Sequence, residues 1–420
     1  MFEVIQNNEY DWIVVGGGIN GISIAEILSR ESKSVLLLEK NDFLASETSK
    51  IFHEWLHTGA LYTLVPDRQR TLKYMIGAID DLLEYYSGFS KMNLIPTMSG
   101  LETSGLGWFN NDPITFKYKK RIMSPVWTPL VSKSISLVEE IKQHDWLRRR
   151  AGAGYGDKTV NANYWFKNIV RQFKEEKNFL SIESSDLTMN SRVLIDDLIS
   201  HALKNNLSVK TGCEVTNIND RVNHVEVKCK DAKIYRAKNI VITAPDVLSK
   251  FVGSKIKIGY APIHIVENID DNENNFVELD IKEKNCINLL KKGSGIGQAG
   301  GVTVSNKNDV DAYSRYIISE HKKRNPNIKS IGHYVGLKKE LVGKNENRNY
   351  LYHINQHNDK IWSTVLWKFT LSFSMAPEFY RRVYGVNPSK IFQINEQCSE
   401  SGMVDKTAWQ DIVEDHQRKG

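Results

Sequence analysis

Residues 11–40, DWIVVGGGINGISIAEILSRESKSVLLLEK, constrain the fold of this chain more than any other stretch. An apolar run from Trp12 to Val15 enters a glycine cluster. An apolar-periodic segment follows through Ile19, Ile22, Ile24, Ala25, Ile27 and Leu28, and a second apolar run from Val35 to Leu38 ends at Glu39. That order reads as strand, tight turn, helix, strand. Gly16, Gly18 and Gly21 stand at GxGxxG spacing, where missing side chains let the backbone turn sharply, approach a pyrophosphate and pack the helix against the sheet. Glu39 follows at the end of the second strand, where a carboxylate can accept both hydroxyls of an adenosine ribose.

With 420 residues and 41% hydrophobic composition, the chain is long enough for two domains and a sizeable core. The 56 basic and 50 acidic residues leave a formal charge of +6, mixed rather than one-signed, which does not imply nucleic acid. Two basic clusters, KYKKR at 117–121 and LRRR at 147–150, read as solvated faces. The four cysteines (Cys213, Cys229, Cys286 and Cys398) lack CxxC or His-paired spacing, which argues against a metal site, an iron–sulfur cluster or a disulfide framework. A reducing compartment fits that. The amino terminus has no basic and apolar leader pattern, and no stretch is apolar enough for a membrane span. The expectation is a cytoplasmic protein, with peripheral membrane attachment left open.

After Glu39, the segments LLLEKNDFLASETSK and LHTGALY, together with GGGINGISIA, resemble the amino-terminal part of the FAD-dependent glycerol-3-phosphate dehydrogenases, within the D-amino-acid-oxidase-like flavoprotein superfamily. The HxG-x-x-Tyr segment is also similar to the L-2-hydroxyglutarate oxidases. The resemblance extends over about 1–90, 185–250 and 330–385. It implies an α/β fold: a Rossmann-like FAD-binding domain of the glutathione-reductase type, interleaved with an antiparallel-sheet α+β substrate domain. The expected division is 1–92, 185–250 and 345–420 for the flavin domain with carboxy-terminal helices, and 93–184 and 251–344 for the substrate domain.

The resemblance further implies cofactor contacts from Gly16, Gly18, Ile19, Asn20, Gly21, Glu39, Lys40, Thr48, Ser49, Val215, Ala244, Lys368, Phe369 and Thr370. Lys368 would stand at the N1/O2 edge of the flavin. His57, Lys338, Arg348 and Lys368 are the candidate catalytic residues: His57 as a base, ring contact or covalent flavin link, and Lys338 and Arg348 as clamps for a substrate anion. His333 is a weaker base candidate. The chain departs from the family at Pro245, where a glycine is usual, at Leu366 and Trp367, where a glycine pair is usual, and at Lys50 and Ile51, in a stretch where the dehydrogenases carry a phosphate-binding Arg.

Elsewhere the sequence predicts a helix from Pro66 to about Tyr86, strands and loops over 93–131, a helix at 132–143 and a loop at 151–156. Further helices are expected at 191–205, 309–323 and from Ser374, with strands at 207–212, 213–218 and 239–245. Gly295, Gly297 and Gly300 repeat the glycine spacing but lead into VTVS, a strand. They read as a hairpin or loop near the substrate and not as a second dinucleotide site.

The activity implied is oxidation of the CH–OH of a small anionic metabolite, a polyol phosphate or hydroxy acid, by hydride transfer to flavin N5. Oxygen, a quinone or a protein would then accept the electrons. One alternative is an amine or amino-acid oxidase of the same superfamily. Another is a flavin-containing binding protein with degraded catalysis, suggested by Pro245 and the Leu366–Trp367 pair.

Overall fold

The computed structural model describes residues 5–62, 70–97, 99–120, 170–253, 256–280, 282–283, 285–341, 352–391 and 400–419. They build two eight-stranded sheets and two short two-stranded pairs. In the first sheet Leu207–Lys210, Val35–Leu38, Ile5–Val15 and Ile234–Ile242 run parallel in that order. Ile361–Leu366 joins Ile234–Ile242 in parallel. Tyr352–Gln356 and the meander of Val215–Asp220 and Val225–Cys229 complete the sheet antiparallel.

The apolar run at Trp12–Val15 is continuous because both faces of this sheet are covered. Trp12 and Val14 pack with Ile22, Leu37 and Phe379 on the helix side, while Ile13 and Val15 pack with Leu36, Leu38, Val227 and Tyr235 on the other. Successive strand side chains point to opposite faces, so one run serves two cores. Each such fully buried side chain contributes about 1.5–3 kcal/mol. The helices Ile19–Arg30, Arg70–Tyr85, Ser191–Lys204 and Ser372–Tyr384 pack together on the Trp12 side.

The second sheet has the order Lys329–Leu341, Ile256–Glu267, Ile296–Gly301, Asn285–Gly293, Asn275–Asp280, Ile114–Lys119, Phe179–Ser184, Val170–Glu175. Its neighbours are antiparallel except Asn275–Asp280 against Ile114–Lys119. Period-two alternation divides it as well. Phe276, Ile287 and Leu289 form a core with Ile317 of the helix Val310–Arg324, and Val277, Cys286 and Asn288 face the large cavity of the molecule. The helix Ala408–Lys419 packs on the same sheet, with Ile412 against Gly332.

Several expectations shift in detail. The strand expected at 239–245 runs Ile234–Ile242, and Pro245 opens a helix, Pro245–Val252; proline suits a first helical turn, where its missing N–H has no partner to lose. The second glycine match lies in the strand Ile296–Gly301 and the turn before it. The expected segments at 132–143 and 151–156, the residue Arg348, the cluster at 147–150 and Cys398 lie outside the described residues. No helix among the described residues is long and apolar enough to cross a membrane.

The reading of the cysteines is corrected. Cys213 and Cys229 form a disulfide, with Cα atoms 5.8 Å apart. Cys229 ends one arm of the meander and Cys213 lies two residues before the other, where Val215 stands opposite Cys229. A search for short cysteine spacings cannot find a bridge that antiparallel pairing creates across 16 positions. The inference of a reducing compartment loses its support with it.

Candidate active site

A cavity of about 1290 Å³ runs between the two sheets, from the start of the helix Ile19–Arg30 to Lys368. That exceeds the range of roughly 300–1,000 Å³ usual for a single small-molecule site, so it has room for a dinucleotide and a substrate together. Most of the sequence-derived site residues line it: Gly16, Gly18, Ile19, Asn20, Glu39, Lys40, Thr48, Ser49, His57, Val215, Ala244, Lys338, Lys368 and Phe369.

The three glycines have different reasons to be glycine. Gly16 has φ 112°, and a Cβ on it would meet Thr243 Oγ1 at 2.8 Å. A Cβ on Gly21 would lie 1.9 Å from the Gly16 carbonyl oxygen, so Gly21 lets the helix close onto the turn and does not line the cavity. Gly18 is extended (φ −78°, ψ 174°), and a Cβ there would meet only Ser49 Oγ, at 3.5 Å. Its missing side chain leaves the helix N-terminus open to the cavity, where backbone amides and the helix dipole favour an anion.

Glu39 is anchored at the same end. Its Oε2 accepts from Gly17 N at 2.7 Å and its Oε1 from Asn41 N at 2.8 Å and Asn41 Nδ2 at 2.7 Å. A carboxylate has about four acceptor sites, so capacity remains for a ribose hydroxyl. Asn20 does structural work: Nδ2 donates to Thr364 O at 3.1 Å and Oδ1 accepts from Thr364 Oγ1 at 3.0 Å, tying the helix start to the strand Ile361–Leu366. Lys40 pairs with Glu47 and Asp246, and Thr48 Oγ1 donates to Leu337 O at 3.3 Å, so this loop bridges the two sheets.

At the other end His57 is 4% exposed. Its Nε2 lies 2.9 Å from Lys368 Nζ, and its Nδ1 lies 3.6 Å from Asp186 Oδ2. Trp55 packs its indole on the imidazole with ring centroids 3.9 Å apart. Thr370 is buried behind the site rather than lining it, and its Oγ1 accepts from His57 N at 3.0 Å. Burial, then the Lys368 and Lys338 cations, hold His57 well below the ordinary histidine range, so the ring is neutral at neutral pH.

Asp186 is fully buried and accepts from Trp55 Nε1 at 2.8 Å, Thr58 N at 2.9 Å and Thr58 Oγ1. Burial outweighs those bonds and pushes its pKa up to about 6. Trp55 and Asp186 were not foreseen. Asp186 sits alone in IESSDLT between two strands, and nothing local marks it.

Lys338 pairs with Glu340 at 3.1 Å, and its Nζ lies 3.6 Å from the centre of the Trp367 ring, whose Nε1 donates to Glu340. Trp367 thus fills the place of the expected glycine with an indole flanked by two lysines, Lys368 Nζ being 4.6 Å from its centre. Lys50 pairs with Asp405 at 3.2 Å and Asp411 at 2.8 Å on the carboxy-terminal segment. It is absent from the cavity lining among the described residues, so it does not replace the missing phosphate-binding Arg. His333 stacks on His264 in the second sheet, with ring centroids 5.2 Å apart, and is also absent from that lining.

The open helix N-terminus at Gly18, the ribose-type carboxylate at Glu39 and the long cavity fit a flavin adenine dinucleotide. A family model described as FAD dependent oxidoreductase matches residues 11–265. A curated glycerol-3-phosphate dehydrogenase from Synechocystis is 46% identical over 61 residues, which is 14% of this chain and 11% of that protein. The fold is similar to that of the FAD-bound L-alpha-glycerophosphate oxidase of Mycoplasma pneumoniae (TM-score 0.64, 16% identity, 91% of this chain and 96% of that one). It is also similar to glycine oxidase of Geobacillus kaustophilus (TM-score 0.59, 12% identity, 93% and 100%). The chain belongs to the FAD dependent oxidoreductase family, and its cofactor is FAD.

Proposed function

We propose that the protein oxidises the CH–OH carbon of a small anionic substrate, a polyol phosphate or hydroxy acid. The observation that carries this is the neutral, clamped His57 between Lys368 and the buried Asp186. FAD supplies the hydride acceptor. His57 takes the hydroxyl proton at Nε2, the nitrogen that Lys368 now contacts. A neutral imidazole is a competent base at neutral pH. Asp186 is a positioning residue: a proton on Nδ1 directed at its carboxylate leaves the lone pair on Nε2, and the imidazolium that forms gains a counter-charge. The 3.6 Å separation is too long for a hydrogen bond in this arrangement, and contacts of this kind tighten when substrate binds.

Lys368 puts a cation on the cavity wall beside His57, and Lys338 stands on the same wall paired with Glu340. The Lys368 charge attracts a carboxylate or phosphate and opposes a substrate ammonium, which favours an alcohol over an amine at the reacting carbon. Arg348 completes the anion clamp in the reading carried over from the dehydrogenases. Residues 1–92, 185–250 and 345–420 then act as the flavin body and 93–184 and 251–344 as the substrate body. The electrons leave to oxygen, a quinone or a protein.

Anaerobic addition of hydroxy acids, phosphorylated polyols and the matching amino acids to the flavin-loaded protein tests this. Bleaching of the flavin band by a hydroxy compound supports the reading. Bleaching by amines alone assigns the amine-oxidase alternative, and bleaching by none in the panel supports a binding protein.

A further inference from the structure

Among the described residues, and besides His57 Nδ1, three buried polar atoms of residues that line the cavity have no hydrogen-bond partner: His53 Nε2, Tyr118 Oη and Asn288 Oδ1. An unpaired buried polar atom costs about 1–3 kcal/mol, and native proteins keep few of them. Each belongs to a residue that lines the cavity, and two of them, His53 Nε2 and Asn288 Oδ1, meet over Gly300. Asn288 and Tyr118 are only 4% and 7% exposed. The sheet register places Asn288 opposite Gly300 on one side and Val277 on the other, and places Tyr118 beside Leu279, which stands opposite Cys286. Asn288, Val277, Tyr118, Leu279 and Cys286 line the cavity, on one face of the sheet by strand alternation.

Gly300 belongs to the glycine-rich segment GSGIGQAGG, which the cofactor site does not use. A Cβ at this position would lie 2.2 Å from His53 Nε2 and 3.2 Å from Asn288 Oδ1. Its absence lets an imidazole and an amide converge on one bare patch of strand. Burial, then the charges of Lys292 and Lys368, press the His53 pKa down to about 3, so this ring is neutral. The set is therefore an amide and a neutral imidazole, which donate and accept without formal charge. Such groups match hydroxyls and do not balance a phosphate, a carboxylate or an ammonium.

We propose that His53 and Asn288, converging over Gly300, form a hydroxyl-binding subsite, and that the substrate is a polyhydroxylated chain, a polyol or sugar acid, with a hydroxyl seated here beside the reacting carbon. Access is through His53, whose ring covers Gly300 and turns aside as the hydroxyl enters. The inference rests on the CH–OH reading for the choice of substrate class, and its test is a binding measurement that does not require turnover.

Isothermal titration calorimetry under anaerobic conditions on the flavin-loaded protein compares glycerol phosphate with propanediol phosphate, and glycerate with lactate. Each pair differs by one hydroxyl. The hydroxylated member should bind about 10-fold tighter or more. Asn288→Leu and His53→Phe should each bring the two members within threefold of one another. Flavin content equal to the native value shows that a variant is folded. Equal affinities within both pairs in the native protein, no binding by any of the four, or a difference retained in both variants overturns the subsite. Flavin absorbance followed in the same titrations separates the two claims: hydroxyl-dependent binding without bleaching leaves the subsite standing and overturns CH–OH oxidation.

Discussion

Replacing Gly18 and Gly21 by alanine, one at a time, separates a glycine needed by the cofactor from one needed by the fold. At Gly18 the new methyl meets only Ser49 Oγ, at 3.5 Å, and the backbone there is extended. The cost to the apoprotein is the weaker helix cap, about 1 kcal/mol or less. At Gly21 the methyl would sit 1.9 Å from the Gly16 carbonyl oxygen and 2.8 Å from Thr243 Oγ1, so the turn must move, which costs about 1–3 kcal/mol or more. The effect on FAD reverses that order. A pyrophosphate held by the helix amides needs contacts of about 2.9 Å, and a methyl in front of the open N-terminus excludes them. Losing one or two bonds to a charged group, each about 1.5–3 kcal/mol, weakens binding by roughly 10-fold to 20,000-fold. Flavin-to-protein ratio and apoprotein urea unfolding measure the two quantities. Normal FAD affinity in Gly18→Ala, or unfolding of Gly18→Ala as severe as that of Gly21→Ala, would refute the assignment of Gly18 to the pyrophosphate.

Asp186→Asn turns an amide N–H₂ toward Trp55 Nε1 or His57 Nδ1, opposing the tautomer that leaves the lone pair on Nε2. Stopped-flow flavin reduction should slow about 100-fold or more at unchanged flavin content, and an unchanged limiting rate would remove Asp186 from the mechanism. Reduction of the Cys213–Cys229 bridge should lower the unfolding free energy by about 3 kcal/mol; identical urea curves with and without reductant would mean that the thiols are unlinked in solution. Because the second glycine match is a strand and not a helix start, the substrate-reduced protein should pass no electrons to NAD. Stoichiometric NADH formation by the protein alone would contradict that.

The cofactor end was legible in the sequence because its chemistry is local. Strand, turn, helix and strand follow one another within 11–40, and Gly16, Gly21 and Glu39 make their contacts to residues of that unit and of the segment after the strand beside it. The reacting end was legible only in part. His57 and Lys368 came from a family resemblance, and they meet 2.9 Å apart although 311 positions separate them. Asp186 reaches them from a third segment, and Trp55 is held by Asp186, so no periodicity or spacing could mark either. Thr370, expected at the cofactor, supports the His57 backbone instead. The disulfide was missed for the same reason: antiparallel pairing, not spacing, makes Cys213 and Cys229 neighbours. Gly300 shows the converse. Its motif was visible, but its purpose depends on His53 and Asn288 arriving from two other elements.

If neutral His57 accepts the proton as the C–H bond breaks, the limiting flavin-reduction rate must follow the protonation of its ring as pH falls. Burial and then the Lys368 and Lys338 cations disfavour the protonated ring. The native rate should therefore hold from neutral pH down through 6.5, the ordinary value for histidine, and fall only below it. Lys368→Met removes a positive neighbour, raises the pKa of the ring and should move the fall to higher pH. His57→Asn should abolish the fall and slow reduction by about 10²–10⁴-fold, with a deuterium isotope effect on the substrate C–H retained. A His57→Asn protein that reduces its flavin within threefold of the native rate, with the same acid limb, would contradict the account.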